Sequence, residues 1–75
     1  SVSLVVNCDS QEEIDYYWNT LTSNGGSESQ CGWLKDKFGF SWQIVPKNLG
    51  SLLSSANAME KLMSMKKIVI ADLEN

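Results

Sequence analysis

The 75-residue sequence has no histidine, a single proline and only two cysteines, Cys8 and Cys31. Without histidine and without a CxxC pair, the ligand set of a dedicated zinc site is missing. Two cysteines are too few for a disulfide framework. Both are expected to be reduced, which fits a cytoplasmic location. No apolar run approaches the ~20 residues that a membrane-spanning helix needs. The opening Ser1-Val-Ser-Leu-Val-Val6 has neither the basic n-region nor the long apolar stretch of a signal peptide. It also carries no initiator Met, so a piece of something longer is expected. The net charge is −3 and the lysines are scattered apart from Lys66-Lys67. A nucleic-acid or anionic-membrane footprint would require a basic stripe, and there is none.

Length narrows the possibilities further. A chain this short is one domain and buries only about 60% of its extendable surface. Such domains are usually stabilised by disulfides, a metal or a partner. With the first two disfavoured, a second chain or a missing remainder of the domain is expected to complete the fold.

What is present reads as alternating strand and helix chemistry. Ser3 to Asn7 is a short β-rich run closed by Cys8-Asp9-Ser10. Ser10 with Glu13 three residues on forms a capping box: the hydroxyl accepts from the Glu13 amide and the carboxylate reaches back to the Ser10 amide. Ile14, Tyr17, Trp18 and Leu21 then share one helical face, and Asn24-Gly25-Gly26 closes the helix. This predicts a helix over Gln11–Ser23. Glu28 to Lys35 and Phe40 to Val45 read as two strands of an antiparallel hairpin, turned at Asp36-Lys37-Phe38-Gly39. Pro46 ends the second strand, having no amide to donate. Beyond it, Leu49–Leu53 reads as a turn of helix. Asn57 with Glu60 is a second possible cap, ahead of Met59, Leu62, Met63 and Lys66 on a helical repeat. Ile68-Val-Ile-Ala71 is either a strand or a docked tail. The fold class is α+β, a single βαβββ-type module over residues 1–75 with a C-terminal helix and tail.

Several of these segments together resemble the glyoxalase/bleomycin-resistance (vicinal oxygen chelate) superfamily, in its PhnB-like branch labelled 3-demethylubiquinone-9 3-methyltransferase-like. The residues that carry the resemblance are Glu13-Ile14-Asp15 with Trp18, Gly25-Gly26, Cys31 to Asp36, Trp42 to Pro46, and Met65 to Ile68. The resemblance implies a domain of two βαβββ modules enclosing a cleft, of which this chain matches the second. One sheet face would then be open, and association through it is expected: as a homodimer or by pairing with the missing N-terminal module.

In metal-using members of the superfamily the last strand supplies a glutamate four residues after the turn glycine, which here is Gln43. The first strand supplies a histidine, whose counterpart is Ser1 or Ser3. A neutral amide and a hydroxyl are poor substitutes for carboxylate and imidazole. No divalent metal or other cofactor is expected. Gln43, Trp33 and Ser3 are the candidate ligand-binding residues, from a face lined by a hydrogen-bonding amide and an aromatic ring. By alternation Trp42 and Ile44 take the opposite face, with Trp18 and Ile14 above them.

Cys31 is expected to be structural, since no histidine is available to activate it. Lys35 would lie on the same strand face, too distant for strong activation. Cys8 sits before a helix N-terminus, a position that lowers a thiol's pKa, although filler near a strand end is the simpler role. Met59, Met63 and Met65 read as packing. No Gly-rich strand–loop–helix that would cradle a nucleotide-like cofactor is found. Three readings follow: a small-molecule-binding or enzymatic half-domain, a non-catalytic sequestering or interaction module, and a fragment of a longer PhnB-like protein that has the function when intact.

Overall fold

Helix α1 (Gln11–Thr22) begins where Ser10, in extended conformation, turns its Oγ onto the Glu13 amide at 3.3 Å. The return bond differs from the expected box. The Glu13 carboxylate accepts from the Asp9 amide at 2.6 Å, one residue earlier than Ser10. Either way it places negative charge at the positive end of the helix dipole. Ile14 and Trp18, one turn apart, are fully buried. The helix stops at Thr22, and Asn24 and Gly25 then adopt positive φ (56° and 110°).

The computed structural model describes residues 3–74. Within them a four-stranded mixed sheet has the order β1-β4-β3-β2. Its strands are β1 (Ser3–Cys8), β2 (Ser27–Glu28), β3 (Trp33–Lys35) and β4 (Ser41–Pro46). β1 runs parallel to β4, and the two hairpin pairs are antiparallel. The β3–β4 turn is as expected: the Gly39 amide donates to the Asp36 carbonyl at 3.0 Å, with Gly39 at φ 88°. Asp36 Oδ1 also accepts from the Phe38 and Phe40 amides at 2.9 and 3.0 Å.

The strand expected over Glu28–Lys35 is broken in two. Between β2 and β3 the chain turns tightly, with Ser29 N donating to Trp33 O at 2.9 Å and Trp33 N to Gln30 O at 3.1 Å. Cys31 and Gly32 both take positive φ there, 60° and 85°. Glycine does so at little cost and cysteine does not, so the second hairpin was half-signalled by Gly32. Cys31 therefore lies in a turn, and does not share a strand face with Lys35.

The sheet separates two apolar clusters. On one side α1 covers Leu34, Ile44 and Cys8, with Val6, Leu21, Trp42 and Ile70 packed around them. Each fully buried side chain of this size contributes roughly 1.5–3 kcal/mol. Indole N–H groups entering this layer are satisfied by carboxylates: Trp18 donates to Glu28 Oε2 and Trp42 to Asp36 Oδ2, both at 2.8 Å. On the other side Val45 is buried by the C-terminal elements α2 (Leu49–Leu52), α3 (Ala56–Ser64) and α4 (Ile70–Leu73).

The C-terminal helices depart from expectation in detail. The cap of α3 is Ser55, whose Oγ accepts from the Ala58 amide at 3.2 Å; Asn57 is inside the helix. Ala58 and Leu62 face inward, so Met59 and Met63 are exposed while Met65 packs. The segment at Ile68–Ala71 is a docked tail whose end coils into α4. It is held by backbone bonds from Cys31 and Gly32 to the Met65 and Lys66 carbonyls, at 2.8 and 2.9 Å. Gln11 clasps it from the other side, donating to Ile68 O at 3.0 Å and accepting from Ile70 N at 2.7 Å. Lys67 adds an ion pair with Asp15 at 2.9 Å.

Candidate functional site

The sheet register defines the open face. Val5 in β1, Gln43 in β4 and Trp33 in β3 are direct partners, so their side chains form one row across three strands. The next row is Ser3, Ser41, Lys35 and Ser27. Strand and residue spacing put Ser3 on the order of 8 Å from Gln43. The structure therefore brings Gln43 and Trp33 side by side and sets Ser3 one row away. Ser1 lies outside the described residues.

This face is closed at one end and open at the other. Val45, two residues beyond Gln43, is covered by α2 and α3, while Val5 is 54% exposed. Gln43 and Trp33 are half-buried, and Ser3 and Lys35 are exposed. Among the described residues the Gln43 side-chain amide has no hydrogen-bond partner, leaving one acceptor and two donor hydrogens for an incoming group. The surface thus combines an amide, an indole, three hydroxyls and the Lys35 ammonium around apolar Val5. Strand alternation in the sequence already puts Ser41 on the Gln43 face and Lys35 outward along its strand, but neither was named as a ligand contact, and the β1–β4 pairing that adds Val5 is a tertiary fact.

A separate hollow of about 310 Å³ lies on the helix side of the sheet, between the end of α1 and the β3–β4 turn. Leu21, Asn24, Asp36, Lys37 and Phe38 line it, and none of the three candidate residues does. Its Asp36 carboxylate is already engaged. The Trp42 indole, then the Phe40 and Phe38 amides, hold that carboxyl below the ordinary aspartate range.

The Cys8 thiol is not activated. Burial, then the Glu13 and Asp9 carboxylates, push the Cys8 thiol up. The helix-terminus effect expected to lower it is outweighed because the thiol is 1% exposed and faces two acids. Cys31 packs partly buried against the C-terminal cluster. Among the described residues no group of three or more Cys, Asp or Glu gathers closely enough to hold a metal ion. No helix among them is long and apolar enough to cross a membrane.

A strand, a helix and three further strands, with the first strand parallel to the last, are compatible with a βαβββ module, and the family that the sequence matches belongs to the glyoxalase/bleomycin-resistance fold. Residues 1–45 match the family described as 3-demethylubiquinone-9 3-methyltransferase, and the chain belongs to that family. The matched stretch closes one residue before the end of β4, so it contains the module and all of the open face but not the Met65–Ile68 tail. No curated protein matches the sequence.

Proposed function

We propose that residues 1–75 are a C-terminal-type βαβββ module of the PhnB-like branch, and that its open face is one wall of a small-molecule cleft. The observation that carries this reading is the row Val5–Gln43–Trp33. It presents an amide with no hydrogen-bond partner beside an indole, half-buried on a part of the sheet that the C-terminal helices leave open among the described residues. A second module, from another copy or from an N-terminal module, provides the opposite wall. Gln43 and Trp33 contact the ligand directly, and Ser3 and Lys35 bind its polar end.

Binding proceeds without a divalent metal in this half, because a neutral amide stands at the position where the fold's metal-using members place a carboxylate. Any acid–base group comes from the opposite wall. Sequestering without turnover is the second reading, favoured by the chemistry of the face itself: amide, hydroxyl and indole groups bind but do not readily exchange protons near neutral pH. Methyl transfer, named in the family's description, is not part of the proposal. The β1–α1 connection, Asp9-Ser10, contains no glycine and offers no phosphate cradle.

Titration of the ¹⁵N-labelled chain with small aromatic carboxylates, singly and as mixtures, tests the site. Shifts should concentrate on the Gln43 side-chain amide and the Trp33 indole. Shifts confined to Asn24, Lys37 and Phe38 would move the site to the hollow and overturn the reading.

A further inference from the structure

The turn that ends α1 contains the dipeptide Asn24-Gly25, and Asn24 is the one asparagine followed by glycine. Both residues are exposed. Among the described residues the Asn24 carboxamide has no hydrogen-bond partner, and the Gly25 amide nitrogen has none in the backbone. Gly25 is loosely packed, the atom nearest to where its own Cβ would stand being the Lys37 Cβ at 3.9 Å. The backbone of the turn is tied by one long bond, Gly26 N to Ser23 O at 3.4 Å, and the Ser23 hydroxyl donates to the Thr20 carbonyl at 2.8 Å.

We propose that Asn24 is a site of spontaneous deamidation in the folded chain. The Gly25 nitrogen attacks Asn24 Cγ, and a nitrogen–carbon bond forms as the Cγ–Nδ2 bond breaks. The displaced amide leaves as ammonia, taking the Gly25 amide proton. Water then opens the five-membered imide at either carbonyl, giving aspartate or isoaspartate. No electrons are exchanged, and the net conversion consumes one water and releases one ammonia. Ring closure requires the Asn24–Gly25 peptide to rotate toward the side chain. A loosely packed glycine, in a turn with a single long backbone bond, lets it do so without opening the sheet.

The product alters its surroundings in two ways. It changes the chain's charge from −3 to −4, placing the new carboxylate at the negative end of the α1 dipole. That carboxylate faces the hollow lined by Lys37 and Phe38. The isoaspartate form also adds a main-chain carbon to the turn that carries the chain from α1 into β2.

Ageing the full chain at mildly alkaline pH, folded and in urea, tests the proposal by peptide mapping with isoaspartate detection. Circular dichroism confirms that the first sample stays folded, and Asn24→Asp serves as the standard for the aspartate product. The expected result is conversion at Asn24 with a folded-state rate within about tenfold of the unfolded one, because only a local opening is needed. Asn7, Asn19, Asn48 and Asn57 should remain intact over the same period. A folded chain that stays unmodified while the unfolded chain converts would overturn it, as would equal conversion at those other asparagines.

Discussion

Gly32 and Gly39 share almost the same backbone conformation, φ 85° and 88°, yet they are constrained differently. A Cβ on Gly39 would meet nothing within 4 Å, whereas one on Gly32 would stand 2.9 Å from the Ile44 carbonyl and 2.8 Å from Ile68 Cδ1. Gly39→Ala should therefore cost only the left-handed penalty, about 1–2 kcal/mol. Gly32→Ala adds the clash with backbone and core, for about 2–5 kcal/mol in all. Urea denaturation of the two variants measures the difference. Asp36 offers a second test at this scale. Asn at this position would point an NH₂ group at either the Trp42 indole N–H or the Phe38 and Phe40 amides, all of which are donors. Asp36→Asn should lower the denaturation midpoint. Because the native carboxyl titrates below its ordinary value, its stabilisation is complete above the unfolded pKa and is lost as pH falls through the folded one. The wild type should lose stability below about pH 4 more steeply than the variant. Asp15, held low by Lys67 and then Gln11, adds to that limb with the same sign. The Asp36-to-Gly39 turn was legible because each residue's local chemistry agreed with it. The Cys31–Gly32 turn was not, since a cysteine at positive φ has no local signature.

At the scale of elements, α1 was readable from its cap, its apolar face and its closing glycines, all between Ser10 and Gly26. The C-terminal elements were not, because contacts distant in sequence shape them. Gln11, at the first turn of α1, is the residue that docks the tail, through bonds spanning 57 and 59 positions. No local pattern marks an N-terminal glutamine for that task. Gln11→Ala should destabilise the chain by about 1–2 kcal/mol, the worth of two neutral hydrogen bonds, leaving the Ile68 carbonyl short of a donor and the Ile70 amide short of an acceptor. Hydrogen exchange gives the discriminating readout: the Ile70 amide should lose protection while amides of β4 keep theirs. Equal loss at both would show that the tail and sheet open together.

At the scale of the whole molecule, β1 is an edge strand with one bare side, and its sequence Ser-Leu-Val-Val-Asn-Cys carries no proline or charge to blunt it. Leu4 and Val5 are exposed on opposite faces of this strand, 42% and 54%. If pairing completes the cleft, sedimentation equilibrium at micromolar concentration should show self-association, and Val5→Lys should shift it toward monomer. A folded wild-type monomer at those concentrations would count against a second copy as the opposite wall. The sequence by itself determined the parts whose causes lie within a turn or two of chain: α1, the β3–β4 hairpin, the stop at Pro46, and the alternation that sends Trp42 inward and Gln43 outward. Tertiary structure alone decided that β1 pairs parallel with β4, that Val5, Gln43 and Trp33 share a row, and that the C-terminal elements cover Val45 while leaving Gln43 half-open. Those outcomes depend on which apolar surfaces find each other after the elements form, and residues forty positions apart leave no periodic trace of that choice.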